Sequence, residues 1–178
     1  SIAVDNDVTL TMLASQANGG TITGAGTVIV ESLGATTNLA NVSTTNLTLQ
    51  LAADITYTGT FNTGPALTFD TNNNTTARAV DITGATNLPA SIAVDNDVTL
   101  TMLASQANTL TVTGAGTVIV ESLANDTNLA NVSTTNLTLQ LAGDVTYTGS
   151  VHGTPAITLD TNNDTTARAI DITGGTFN

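Results

Sequence analysis

Residues 39–52 read LANVSTTNLTLQLA, and residues 129–142 repeat them letter for letter. Inside this stretch Leu47, Leu49 and Leu51 alternate with Thr48 and Gln50. Alternation with period two places one face of a strand in a core and the other in water. Working outward, GAGTVIVESL occurs at 24–33 and 114–123, and SIAVDNDVTLTMLASQAN at 1–18 and 91–108. Residues 1–88 match residues 91–178 at 68 of 88 positions. The chain is therefore a repeat of period 90, with repeat 1 at 1–90 and repeat 2 at 91–178. Such near-identity implies a tandem duplication, and it predicts further copies in a parent protein.

A shorter period lies inside the repeat. Alternating runs recur at Val8-Leu10-Met12, Val28-Val30, Leu47-Leu49-Leu51, Leu67-Phe69 and Val80-Ile82. From Val8 to Val28, Leu47 and Leu67 the residue number rises by 20, 19 and 20, and the next step, to Val98, is 31. The long step contains DTNNNTT, which reads as an inserted turn or loop. A spacing of 19–20 predicts one coil of a β-solenoid, with two or three short strands per coil joined by tight turns. Turn residues stand at Asp5-Asn6, Gly24-Ala25-Gly26, Thr45-Asn46 and Asn62-Thr63-Gly64. Stacked coils would set Val/Leu ladders inside and Thr/Asn ladders outside. The alternative is a pair of immunoglobulin-like β-sandwiches, whose modules are about 100 residues long. For that reading only Asn87-Leu88-Pro89-Ala90 resembles a linker. The spacing favours an all-β, continuous solenoid. The two copies differ most sharply at 34–36 and 61–64, which are expected to be exposed turns.

Composition agrees with strands. Apolar residues make up 40% of the chain, so it can build a core. Charged residues make up only 9%, against about 25% in an ordinary soluble domain. Thr and Asn take their place, which suits strands and turns. There is no Trp, and Phe and Tyr together number five, so the interior is expected to rest on small and branched residues. The net charge of −12, with two arginines and no lysine, excludes a cationic nucleic-acid footprint. It equally disfavours anionic membrane surfaces. No apolar run long enough for a membrane span occurs. The absence of cysteine excludes disulfides and thiolate metal sites.

Little in the chain suits catalysis. His152 is the sole histidine, and its counterpart in the first copy is Asn62. A base present in one copy only makes a poor nucleophile–base pair. Asp5 and Asp7 could be paired acids of a polysaccharide-cleaving groove, but the Lys, Arg and aromatic platforms of such grooves are missing. The chain is expected not to be an enzyme. Thr-x-Thr pairs such as Thr9/Thr11 and Thr56/Thr58 could bind ice only as an unbroken flat ladder, and Ile29 and Glu31 interrupt it. Asn41, Asn46, Asn131 and Asn136 stand in glycosylation triplets that matter only in a glycosylating host.

One cluster resembles a ligand loop. Asp160, Asn162, Asp164 and Asp171 stand at positions 1, 3, 5 and 12 of DTNNDTTARAID, with Asp70, Asn72, Asn74 and Asp81 at the same places in the first copy. Those are oxygen-ligand positions of a calcium loop. Position 6 is Thr165 or Thr75 rather than Gly, and an arginine falls inside the loop. The competing reading is an Asx-rich turn that satisfies its own backbone. Calcium is thus the one cofactor expected, if any. Arg78 recurs as Arg168, and Asp97 follows Arg78 by about the spacing of one coil. Arg78 is expected to pair with Asp97, or with Asp95, on the next coil.

GTITGAGTVIVES at 20–32 and NVSTTNLTLQLAADITYTGTF at 41–61 resemble the β-strand repeats of giant bacterial surface proteins. They are also similar to autotransporter passenger domains and filamentous-haemagglutinin-type adhesins, solenoids with coils of similar length. The resemblance rests on composition, spacing and turn style across the whole chain. It implies an extracellular or cell-surface structural rod for adhesion, matrix formation or surface coating. Separately, a coil left uncovered is an open β-edge, so isolated segments are expected to self-assemble end to end into a filament or coat. The implied partners are further copies of the repeat, surface glycans or a host-cell receptor. GGxGxD calcium nonapeptides do not occur. A calcium- or glycan-binding module is the alternative function.

Overall fold

The computed structural model describes residues 1–72, 76–162 and 165–178. The chain is a β-solenoid of about eight coils. Every described strand pair is parallel. Parallel neighbours need a connection of a dozen or more residues, and here one full coil supplies it. The sandwich alternative is thereby set aside.

Each coil has three sides. Leu47, Ile55 and Thr60 mark them in one coil, and Leu67, Val80 and Thr86 stack on these in the next. A first ladder runs Leu10, Val28, Leu47, Leu67, Ile92, Val112, Val132. A second runs Ile55, Val80, Leu100, Val118, Leu137, Ile157. Ile2, Ile22 and Val42 form a third. Away from the two ends the side chains of these ladders point inward and, apart from the half-buried Ile55, are buried, and the Thr-rich positions between them face out. Full burial of one such aliphatic side chain contributes about 1.5–3 kcal/mol, and the ladder repeats it at every coil.

The register corrects the sequence reading at the long step. The first ladder starts at Leu10, not Val8, and passes through Val28, Leu47 and Leu67 in nearly even steps. Its next step is longer and ends at Ile92, the counterpart of Ile2. Val98, the counterpart of Val8, stacks on Arg78 in the second ladder. The apparent step of 31 from Leu67 to Val98 therefore joins positions on two different sides of the coil. One repeat makes four coils plus one side, so the second copy is turned about the axis by about a third of a turn relative to the first.

Two glycines allow this stacking to turn a corner. Gly24 and Gly114 have φ of +122° and +117°, a region open to glycine. A Cβ on either would overlap the carbonyl oxygen of Val4 or Val94 on the preceding coil.

Three further features depart from expectation. Single helical turns occupy Ala14–Ala17 and Ala104–Ala107, where small buried alanines let the helix lie against the core. Gln16 and Gln106 accept the N–H of Leu13 and Leu103 through Oε1 at 2.9 and 2.8 Å. Residues 61–64 are not all exposed: Phe61 and Val151 are buried, and only the following turn faces water. The core also uses its few aromatics. Tyr57, Tyr147, Phe61 and Phe69 are all fully buried. Tyr57 stacks on Phe61 at 4.6 Å, and Phe61 meets Phe69 edge-on at 6.4 Å.

Candidate functional site: the long coil and the two ends

The long coil occurs twice, once per copy. Ile55 pairs with Val80, and Val145 with Ile170. The extra residues fall in the segments 70–81 and 160–171 that carry the calcium-type spacing. Asn74 and Asp164 lie outside the described residues. The remaining acids and amides are engaged locally. Asp70 Oδ1 accepts the Asn72 N–H at 3.0 Å, and Asn72 adopts φ +56°. Asp81 and Asp171 accept the N–H groups of Thr83 and Thr173 at 2.8 and 2.9 Å. The Thr173 N–H, and then its hydroxyl, hold the Asp171 carboxyl below its ordinary value. Gln140 Nε2 donates to Asp160 Oδ2 at 3.2 Å and to Asn162 Oδ1 at 3.3 Å.

Asp70 and Asp81 end strands on two different sides of the coil: Asp70 stands beside Gln50, and Asp81 beside Thr101. Among the described residues no group of three His, Cys, Asp or Glu side chains converges. A shallow groove of about 280 Å³ lies beside Asn72, lined also by Glu31, Gln50 and Thr71. Glu121, Gln140 and Asn162 line a smaller one of about 70 Å³ in the second copy. Because the second copy is turned by one side, these two grooves open on successive sides of the rod.

Arg78 and Asp97 do meet, through the main chain. The Arg78 N–H donates to the Asp97 carbonyl at 2.9 Å, across the junction between the copies. The Arg78 Nε is buried, with no hydrogen-bond partner among the described residues. His152 Nδ1 lies 2.8 Å from the Thr154 hydroxyl in an exposed turn. Asp5 closes a turn with its carbonyl, which accepts the Val8 N–H at 2.9 Å.

The junction between the copies and the two ends show the effect of coil cover. At the junction, Ile92–Val94 cover Leu67–Phe69, and Val98–Thr101 cover Arg78–Asp81. Asp95 N–H donates to the Phe69 carbonyl at 3.0 Å, Ile82 N–H to the Thr101 carbonyl at 2.9 Å, and Gln106 Nε2 to the Ile82 carbonyl at 2.9 Å. The same side chains at the ends of the chain stand uncovered. Phe69 is 0% exposed and its counterpart Leu159 48%; Ile82 is 0% and its counterpart Ile172 45%. Val98 is 1% exposed and its counterpart Val8 48%. The last coil thus presents an apolar hollow of about 190 Å³ between Tyr147, Leu159, Ile172 and Phe177. Only the ladder counterparts could have revealed this, and they become visible once the one-side turn is known. No described helix is long and apolar enough to cross a membrane. No protein-family model, curated protein or solved structure matches the chain.

Proposed function

We propose that the chain is a structural segment of a large secreted or cell-surface protein, a non-catalytic rod that extends by stacking further copies of its repeat. The observation that carries this reading is the junction: the first and second ladders pass from one copy into the next without a break. A repeat whose last coil fits its own first coil can be propagated indefinitely, as in other solenoids. The acidic charge, the cysteine-free composition and the resemblance to surface-protein repeats support an extracellular setting and adhesive or coating use. Negative-stain electron microscopy of the purified chain, with and without calcium, tests the self-assembly. Rods longer than one chain support it, and monomers alone under both conditions contradict it.

A second reading, calcium or glycan binding, is favoured by one observation. The long coil recurs in both copies, each time with a polar groove beside it, lined by Asn72 in one and Asn162 in the other. Asp160, Asn162, Asp70 and Asn72 would supply hard oxygens there. A calcium-dependent rise in melting temperature that disappears in Asp160→Ala supports this reading. An unchanged melting temperature opposes it.

A further inference from the structure

We infer that Glu121, Ser122 and Gln140 form a weak site for one calcium ion, held between two neighbouring coils. This deepens the calcium reading and rests on it, but it takes the ligands from facing coils and not from along the loop. The observation that carries it is a buried amide oxygen. Gln140 is 8% exposed, and its Oε1 is buried with no hydrogen-bond partner among the described residues. Buried amide oxygens are normally paired, so one left open points to a missing donor or cation. The amide nitrogen is already spent. It donates to Asp160 Oδ2 at 3.2 Å and to Asn162 Oδ1 at 3.3 Å, both on the following coil. The opposite amide orientation would set Oε1 3.2 Å from Asp160 Oδ2, acceptor against acceptor, so Asp160 fixes which way the group points.

Oε1 is thereby turned from the following coil toward the preceding one. There Val120 faces Leu139, and the Leu123 N–H donates to the Gln140 carbonyl at 3.1 Å, which leaves Glu121 and Ser122 beside Gln140. The first copy has the same register, with Glu31 facing Gln50. Glu121, Ser122 and Gln140 line one groove of about 70 Å³. A carboxylate, a hydroxyl and an amide oxygen are the hard ligands that calcium takes. The size of the groove decides between an ion and a sugar. A water occupies about 30 Å³, so the groove holds an ion with its remaining water, whereas pockets for organic ligands start at about 300 Å³. Magnesium demands a stricter octahedron and sheds water reluctantly, which favours calcium. Three protein oxygens with one charge place the affinity at the weak end, about 10⁻⁴–10⁻³ M. In the first copy Gln50 is only half-buried and the groove widens to about 280 Å³, so an ion there keeps more of its water and binds less tightly.

The test is a calcium titration of the whole isotope-labelled chain, followed by NMR at constant ionic strength. The expected result is a saturable shift centred on the Gln140 side-chain amide and the Ser122 N–H. Glu121→Gln, at a half-buried position, should weaken binding at least tenfold while the rest of the spectrum stays in place. Asp171→Asn removes the same charge from the loop and should leave binding within twofold. Unchanged binding in Glu121→Gln, or binding lost in Asp171→Asn, would overturn the site between coils and leave the calcium reading intact. A titration without any saturable shift up to about 10⁻² M, tenfold beyond the weak end of that range, would overturn both. The Gln140 oxygen would then be satisfied by water alone.

Discussion

Ile92 stacks directly on Leu67, although its sequence counterpart Ile2 belongs to a different side of the coil. This relationship fuses the two copies into one cooperative core. Phe69, which Val94 covers, belongs to that core at 0% exposure, whereas Leu159 at the same repeat position is half exposed. Phe69→Ala should cost about 3–5 kcal/mol, the range for a buried phenylalanine. Leu159→Ala in the monomeric chain should cost less than half as much. Urea denaturation of both variants checks this, and each should retain a single transition.

The strands are legible in the sequence, and the turn between the copies is hidden in it. Alternation at Leu47-Leu49-Leu51 identifies the inward face because period two is a local property. The even recurrence of Val28, Leu47 and Leu67 identifies the coil for the same reason. The destination of Ile92 is not local: it depends on how many sides the long coil consumes, which no short window contains. The helical turn at Ala14–Ala17 escapes the pattern because a single turn is too short to show a helical period. Phe61 reads as a turn residue because it adjoins Asn62-Thr63-Gly64 and changes to Val151, yet both side chains point inward. The Arg78–Asp97 link is legible as a spacing, but its observed form is a main-chain hydrogen bond, to which any residue pair could contribute. The loop ligands are legible as types at a spacing, whereas their local hydrogen bonds are not.

Tyr57 and Tyr147 give the fold an alkaline limit. Their hydroxyls donate to the carbonyls of Thr37 and Thr127 one coil below. Burial raises both pKa values, that of Tyr147 to about 12 and that of Tyr57 further. A raised folded value means the neutral hydroxyl is favoured by folding. The contribution is complete below the unfolded tyrosine value of about 10 and is lost as pH rises through the folded values. The chain has no lysine or cysteine to titrate across the same window. Stability should fall from about pH 10 upward, and Tyr57→Phe with Tyr147→Phe should remove most of that slope. Each single replacement should cost about 1–3 kcal/mol at neutral pH by leaving a buried carbonyl unpaired.

Gly114→Ala should destabilise by more than the about 1 kcal/mol typical of a glycine-specific conformation alone, since its Cβ would overlap the Val94 carbonyl. Gly143→Ala is the control, because no atom lies within 4 Å of that Cβ. Thermal unfolding of the two variants should separate them by several degrees.

End-to-end association should grow with salt. At −12 per chain, copies repel one another, and the Debye length shortens from about 30 Å at 0.01 M to about 8 Å at 0.15 M. Light scattering should report larger particles at the higher ionic strength. An association that weakens with salt would point to charge pairing in place of apolar stacking.

A disulfide inside the chain reports whether the two copies form one continuous solenoid with the second turned by one side. Thr68→Cys with Ala93→Cys places two thiols on facing positions of adjacent strands. Thr68→Cys with Thr101→Cys places them on different sides, since Thr101 faces Asp81. Rapid intrachain closure of the first pair in dilute protein, and none of the second, is the expected result. Closure through Thr101, or of neither pair, would contradict it.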